Sequence, residues 1–251
     1  METDSVYRKT ISARQRMFYM ALMFFAHCIF ILIAAYIKIF AYDAIEVNVE
    51  NILIFTGMSS AIAGIFIVLT IYAYMSSWHI NLPLRKFFAM NAAMFFSYVL
   101  CLCFEEVNPY YMPLIFTAFL LITIVDKRDA FMCNIVSNLL IFVTVYFEHD
   151  LNSSIYSSFD FVILLGFGLT MGSVFTYYLS GAATRIAFFL RSFIIGIINV
   201  EVMYLVSLLW HGFDFNSSAL ALSLINFGQI IIAIALQPVF ESLFGLLTNA
   251  K

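Results

Sequence analysis

Charge is what this sequence has least of. Charged residues make up 11% of its 251 residues, against 64% hydrophobic ones. A chain of this length folded in water needs a polar shell, and this one lacks the charges to build it. Short alternating segments of ~10 residues, the mark of a transmembrane β-barrel, are also missing. So are internal repeats and low-complexity linkers. Cysteine is sparse, and Cys28, Cys101, Cys103 and Cys133 all lie inside apolar runs. Cys101 and Cys103 are two apart and share no helix face, so the four read as buried apolar thiols and no metal site is expected.

What the chain does have is apolar runs near bilayer-spanning length. Eight can be read, at 17–42, 53–77, 86–104, 109–125, 130–147, 159–180, 187–210 and 219–240. The expected fold class is all-α, a polytopic transmembrane helical bundle of eight spans whose first partner is the lipid bilayer. The first run is too long for a signal-peptide core and reads as a retained anchor. The organisation is then a cytoplasmic segment 1–16, an anchor 17–42, a short external loop 43–52 and a seven-helix membrane domain 53–240, with 241–251 beyond it. Spans 109–125 and 130–147 are short. The Asp126-Lys127-Arg128-Asp129 turn between them suits a helical hairpin that reaches the cytoplasmic interface, or a re-entrant pair.

The few charges sort by sign. Arg8, Lys9, Arg14 and Arg16 precede the first span, and Arg85, Lys86, Lys127, Arg128, Arg185 and Arg191 mark every second connection. The alternate connections carry Asp43, Glu46, Glu50, Glu105, Glu106, Glu148, Asp150, Asp160 and Asp214. The positive-inside rule places both termini in the cytoplasm, as an even number of spans also requires. Lys38 alone breaks the pattern, and as a residue near a helix end it is expected to snorkel to water. Trp78 and Trp210 are expected at opposite interfaces.

The C-terminal stretch reads Leu236-Gln237-Pro238-Val239-Phe240-Glu241-Ser242-Leu243-Phe244-Gly245-Leu246-Leu247-Thr248. With Pro238, Glu241, Phe244, Gly245 and Thr248, it resembles the junction in the seven-transmembrane HD-hydrolase receptors, where the last membrane helix joins a cytoplasmic HD phosphohydrolase domain. Pro109-Tyr110-Tyr111-Met112-Pro113 with the later Asp126-Lys127-Arg128-Asp129-Ala130 is similar to that family's central hairpin. Arg185, Phe188-Phe189-Leu190-Arg191 and Asn199 are similar to its next loop and helix. The resemblance covers roughly 53–251. It implies the membrane core of a bacterial inner-membrane cyclic di-AMP phosphodiesterase. Two departures accompany it: only 43–52 stands where that family carries an extracellular domain, and the chain ends at Lys251, where the HD domain would begin. No catalytic residue carries over, so no enzyme activity and no cofactor is expected of this chain. The divalent metals would belong to the HD domain.

His149-Asp150 is an HD dipeptide, but a single pair lacks the several His and Asp ligands that such a metal site requires. Gly168 and Gly172 have GxxxG spacing and suit helix packing within the bundle or a homodimer face. Asn134 and Asn138, four apart, suit interhelical hydrogen bonds or a ligand pocket, and His27 suits a polar contact in the core. Glu201 lies deep in its span, at a depth that Asn226 and Gln229 share on the next. A carboxylate in lipid is costly, so Glu201 is expected to face the interior and hydrogen-bond to one of those amides.

Two function classes remain. One is a membrane-embedded sensory or regulatory module with an unknown extracellular or membrane ligand, relaying a signal to an HD domain. The other is a small-molecule or ion transporter, against which stand the lack of an inverted repeat and the few intramembrane charges. No nucleic-acid partner is expected.

Overall fold

The computed structural model describes residues 12–43, 45–152, 158–182, 184–211 and 217–244, and among them every regular element is helical. The elements are α1 (Ala13–Tyr36), running into a π-helix (Ile37–Tyr42), α2 (Val49–Met75), the short α3 (Trp78–Asn81), α4 (Leu84–Glu105), α5 (Phe116–Leu121), α6 (Lys127–Asn152), α7 (Ser158–Leu179), α8 (Arg185–His211) and α9 (Ser217–Phe244). Five helical segments are long and apolar enough to cross a membrane: Ala13–Tyr42, Val49–Met75, Leu84–Glu105, Lys127–Glu148 and Val162–Leu179. They mark an all-helical membrane protein.

The starts of these helices are written locally. Ser12 caps α1 in a reciprocal capping box with Gln15, and the Asn48 side chain accepts from the Asn51 N–H to cap α2. Each early span then has two apolar faces rather than one. α2 buries Met58, Ile62, Phe66, Leu69 and Ala73 at helical spacing, while Ile67, Val68 and Ile71 point outward. α1 does the same with Met20, Phe24, His27, Ile31 and Ala35 inside and Phe18, Leu22, Phe25 and Phe30 outside. An outward apolar face is what a lipid neighbour requires. α6 is the central helix, packed against α2, α4, α5 and α7, while α8 and α9 pack chiefly on each other.

The expected span at 109–125 is not a spanning helix. A single 3₁₀ turn at Pro109–Tyr111 leads through Pro113 into α5, which is only six residues long. Residues 112–125 are all buried. The segment nonetheless runs from one end of the bundle to the other. It leaves Glu105, whose carboxylate meets the far end of α6 through Lys38, and arrives at Lys127, the start of α6. Broken backbone at membrane depth is tolerable only when protein surrounds it, and here α4, α6, α7 and α9 do so. α6, in turn, is a full 26-residue helix rather than a short one.

The two ends of the bundle differ in charge. Lys38, Glu105 and Glu148 bring the C-terminal ends of α1, α4 and α6 together with the other acids. At the opposite end, Trp78 Nε1 donates to Asp129 Oδ1 at 2.9 Å and Arg16 reaches the Ile80 carbonyl at 3.4 Å. The helix starts bearing Arg14, Arg16, Arg85, Lys86, Lys127 and Arg128 gather there. Trp78 is not an interfacial anchor: it is buried between Tyr72 and Phe87, because its indole N–H is held by Asp129 inside the helix junction. Cys103 departs from the expected burial and is exposed, two residues round the helix from buried Cys101. The Trp210 side chain lies outside the described residues.

Candidate functional site

Lys38 does not snorkel. It is 7% exposed, and three glutamates come to it: Glu105 and Glu148 in close ion pairs, and Glu106 at 2.9 Å. The local cause is the π-helix, whose wider turn carries Lys38 at the end of the first span and brings the chain back so that the Asp43 N–H donates to the Lys38 carbonyl at 2.9 Å. α4 supplies Glu105 from its last turn and Glu106 from its C-cap, and α6 supplies Glu148.

With Asp43 alongside, one ammonium faces four carboxylates, so the cage keeps an excess of negative charge. The Asp43 carboxyl is held above the ordinary aspartate range. Burial is the largest cause; Lys38 opposes it, Glu106 and Glu105 reinforce it, and contact with Glu148 works against it. Carboxylate oxygens of Asp43, Glu106 and Glu148 converge within 4.8 Å of one another. Such a set could share a proton or hold an oxygen-preferring cation. Asp43 Oδ2 and Glu148 Oε2 are buried without a hydrogen-bond partner.

A polar seam runs inward from this cage along the buried face of α6. Thr144, one turn below Glu148, exchanges a hydrogen bond with Tyr98 at 2.8 Å. Farther along, Asn138 Nδ2 donates to the Leu114 carbonyl at 2.9 Å, Thr117 donates to Ser137 Oγ at 3.0 Å, and Asn134 Nδ2 donates to the Gly168 carbonyl at 3.2 Å. Asn134 and Asn138 thus make contacts to neighbouring segments. They fill the space that Gly172 and Gly168 leave open, since a Cβ at either glycine would overlap an asparagine side chain. The GxxxG pair is used inside the bundle.

His27 Nδ1 lies 2.8 Å from Asn91 Oδ1, while the Asn91 amide donates to the Phe87 carbonyl. Asn91 Oδ1 therefore accepts, and Nδ1 carries the proton. Glu201 departs from its expected place. α8 buries Phe188, Ser192, Ile195 and Asn199, and Glu201, two residues after Asn199, falls on the opposite, exposed side. Its face is fixed by the packing of α8 on α7 and α9. The side chains of Asn226 and Gln229 lie outside the described residues, as do those of His149 and Asp150. Pro238 and Glu241 lie within α9, which extends to Phe244; Gly245 and Thr248 are beyond the description.

Sequence reasoning missed the Lys38 cage, although its signal was present: one cation among acids on the same side. No family model matches the chain, and no curated protein and no solved structure matches it.

Proposed function

We propose that this chain is a membrane-embedded sensory or regulatory module, with the Lys38 cage as its sensing element. The observation that carries the reading is the cage's excess of carboxylate held at the joined ends of α1, α4 and α6. Carboxylates packed this closely around one ammonium would answer a bound proton or cation by changing how those three ends fit together. By the positive-inside rule the cage faces outward and both termini are cytoplasmic, and the resemblance to the HD-hydrolase receptors implies a bacterial inner membrane. The finer reading is that α9 passes the change to a cytoplasmic HD phosphohydrolase acting on cyclic di-AMP. Its support is the likeness of the junction around Pro238 and Glu241, and the continuation of α9 as helix past Pro238 to Phe244.

Orientation is checked first. Cysteines placed at Glu46 and Glu50 should react with an impermeant maleimide on intact cells, and those at Arg85 and Lys86 only after permeabilisation. The reverse pattern would invert the bundle. For sensing, the purified chain in lipid nanodiscs would carry an environment-sensitive dye at Leu243, on exposed α9. Its emission should change on acidification or on adding millimolar calcium, and stay constant in a Glu148→Gln variant. An unresponsive wild-type dye would refute the relay. The buried seam of Thr144, Asn138, Ser137 and Asn134 favours a second reading, ion or solute transport through the bundle. Proton or cation flux into proteoliposomes, lost in Asn138→Leu, would favour it over the sensor.

A further inference from the structure

We propose that the basic end of the bundle binds an anionic phospholipid, with its headgroup between the α5–α6 turn and the α7–α8 connection and an acyl chain between α6 and α7. Two adjoining cavities carry the inference. The first, of about 520 Å³, is lined by Thr123, Asp126, Lys127, Arg128, Ser180 and Phe188 among others. The second, of about 320 Å³, lies along Phe131, Ser173, Thr176 and Tyr177. Lys127 and Arg128 belong to both.

The second cavity is apolar despite its two hydroxyls. Ser173 Oγ donates to the Leu169 carbonyl at 2.5 Å and Thr176 Oγ1 to the Gly172 carbonyl at 2.6 Å. Both hydroxyls are thus spent within α7, and their carbon atoms are left to line the groove. A cavity of mixed lining that carries charged groups and shares its cations with an apolar groove fits an amphiphile with a charged head.

The sign of that head follows from the cations. Lys127 sits 4.8 Å from the Tyr177 ring and Arg128 5.6 Å from the Tyr72 ring. Arg191 donates to the Tyr178 carbonyl at 2.9 Å and rests against the position of Gly181, beside the lining residues Ser180 and Ala182. Among the described residues, none of these three has a carboxylate within ion-pair distance, whereas Lys38 has three. Aromatic faces orient them without neutralising them. Asp126 lies in the lining, and Asp129 interacts with Arg128 besides accepting from Trp78, so the two acids offset part of the charge and leave the three cations in excess. Lys127 and Arg128 also open α6, where the helix dipole adds to the attraction for an anion. Basic pockets between transmembrane helices at a membrane surface are suited to anionic headgroups. A soluble phosphate would use the first cavity and ignore the second; a phospholipid uses both.

The test is native mass spectrometry of the full chain in a neutral detergent, titrated with phosphatidylglycerol, phosphatidylcholine or inorganic phosphate. Phosphatidylglycerol should bind about tenfold or more tightly than phosphatidylcholine, and millimolar phosphate should not displace it. A Lys127→Gln/Arg128→Gln variant should lose that preference. Arg85→Gln/Lys86→Gln, at the same end but outside the cavities, should keep it. Equal binding of the two lipids by the wild-type chain overturns the proposal. So does full competition by phosphate, which would make this a free-anion site. So does equal loss in the Arg85/Lys86 variant, which would mean diffuse attraction. The wild-type comparison stands even if a variant does not fold.

Discussion

Replacing Lys38 with methionine is expected to cost the fold about 3–5 kcal/mol at neutral pH, because the change leaves a buried charge cluster without its counter-ion. Lys38 is 7% exposed, and the Glu105 and Glu148 side chains are 13% and 9% exposed. Methionine nearly matches the stem in volume, so the loss is electrostatic rather than steric. Thermal unfolding in detergent should show a fall in Tm of roughly 10 °C. Two further results identify the cause. Adding Glu148→Gln removes one of the stranded charges and should recover part of the loss. Lowering the pH should also help, and Asp43 gives the sign. Its folded-state value lies above its unfolded one, so its contribution to stability falls as pH rises from the ordinary aspartate range through that raised value. Lys38 is the group that opposes this rise, so its removal enlarges the effect. The deficit of Lys38→Met should therefore shrink between about pH 7.5 and about pH 5. A variant as stable as wild type at pH 7.5 would mean that water, rather than Lys38, balances the acids, and the cage would lose its standing as a sensing element.

The helices were legible because the property that specifies them is local. An apolar run of sufficient length must satisfy its own backbone in a membrane, and the ends of α1, α2, α4 and α7 fall within a few residues of the apolar runs. The separation of charge into two ends was legible for the same reason. Residues 109–125 were misread because hydropathy reports avoidance of water and says nothing of what provides the cover. A buried broken segment and a lipid-facing helix have the same average, and only Pro109 and Pro113 hinted at the difference. Lys38 was misread because snorkelling is an argument about one side chain, whereas the cage is assembled by three helices. Glu201 shows the same limit, since its face is set by the helices that α8 packs on and not by its own sequence. Asn134, Asn138, Gly168 and Gly172 were each singled out from spacing on their own helices, yet nothing in either spacing said that the asparagines and the glycines meet one another.

That meeting supplies the second large effect, a loss of about 2–5 kcal/mol on changing Gly172 to alanine, the sum of an overpacking cost and a stranded buried amide. The added methyl would overlap the Asn134 side chain. Asn134 is fully buried, and its Nδ2 donates to the Gly168 carbonyl at 3.2 Å, so it cannot move aside without leaving that amide unpaired. Gly166, two residues before Gly168 on the same helix, has nothing near its Cβ position. There alanine should be neutral or stabilise slightly, because it favours a helix by up to about 1 kcal/mol over glycine. A loss at Gly172 and none at Gly166 on one helix is thus the expected signature of packing against α6. Asn134→Ala should rescue Gly172→Ala, since it removes the atoms that collide. The coupling read from a double-mutant cycle should be about 1–3 kcal/mol. Size-exclusion chromatography with light scattering adds the deciding control. A homodimer face at Gly168 and Gly172 would make Gly172→Ala dissociate a dimer with little change in Tm and no rescue by Asn134→Ala. An interior contact requires a lower Tm, an unchanged oligomeric state and the rescue.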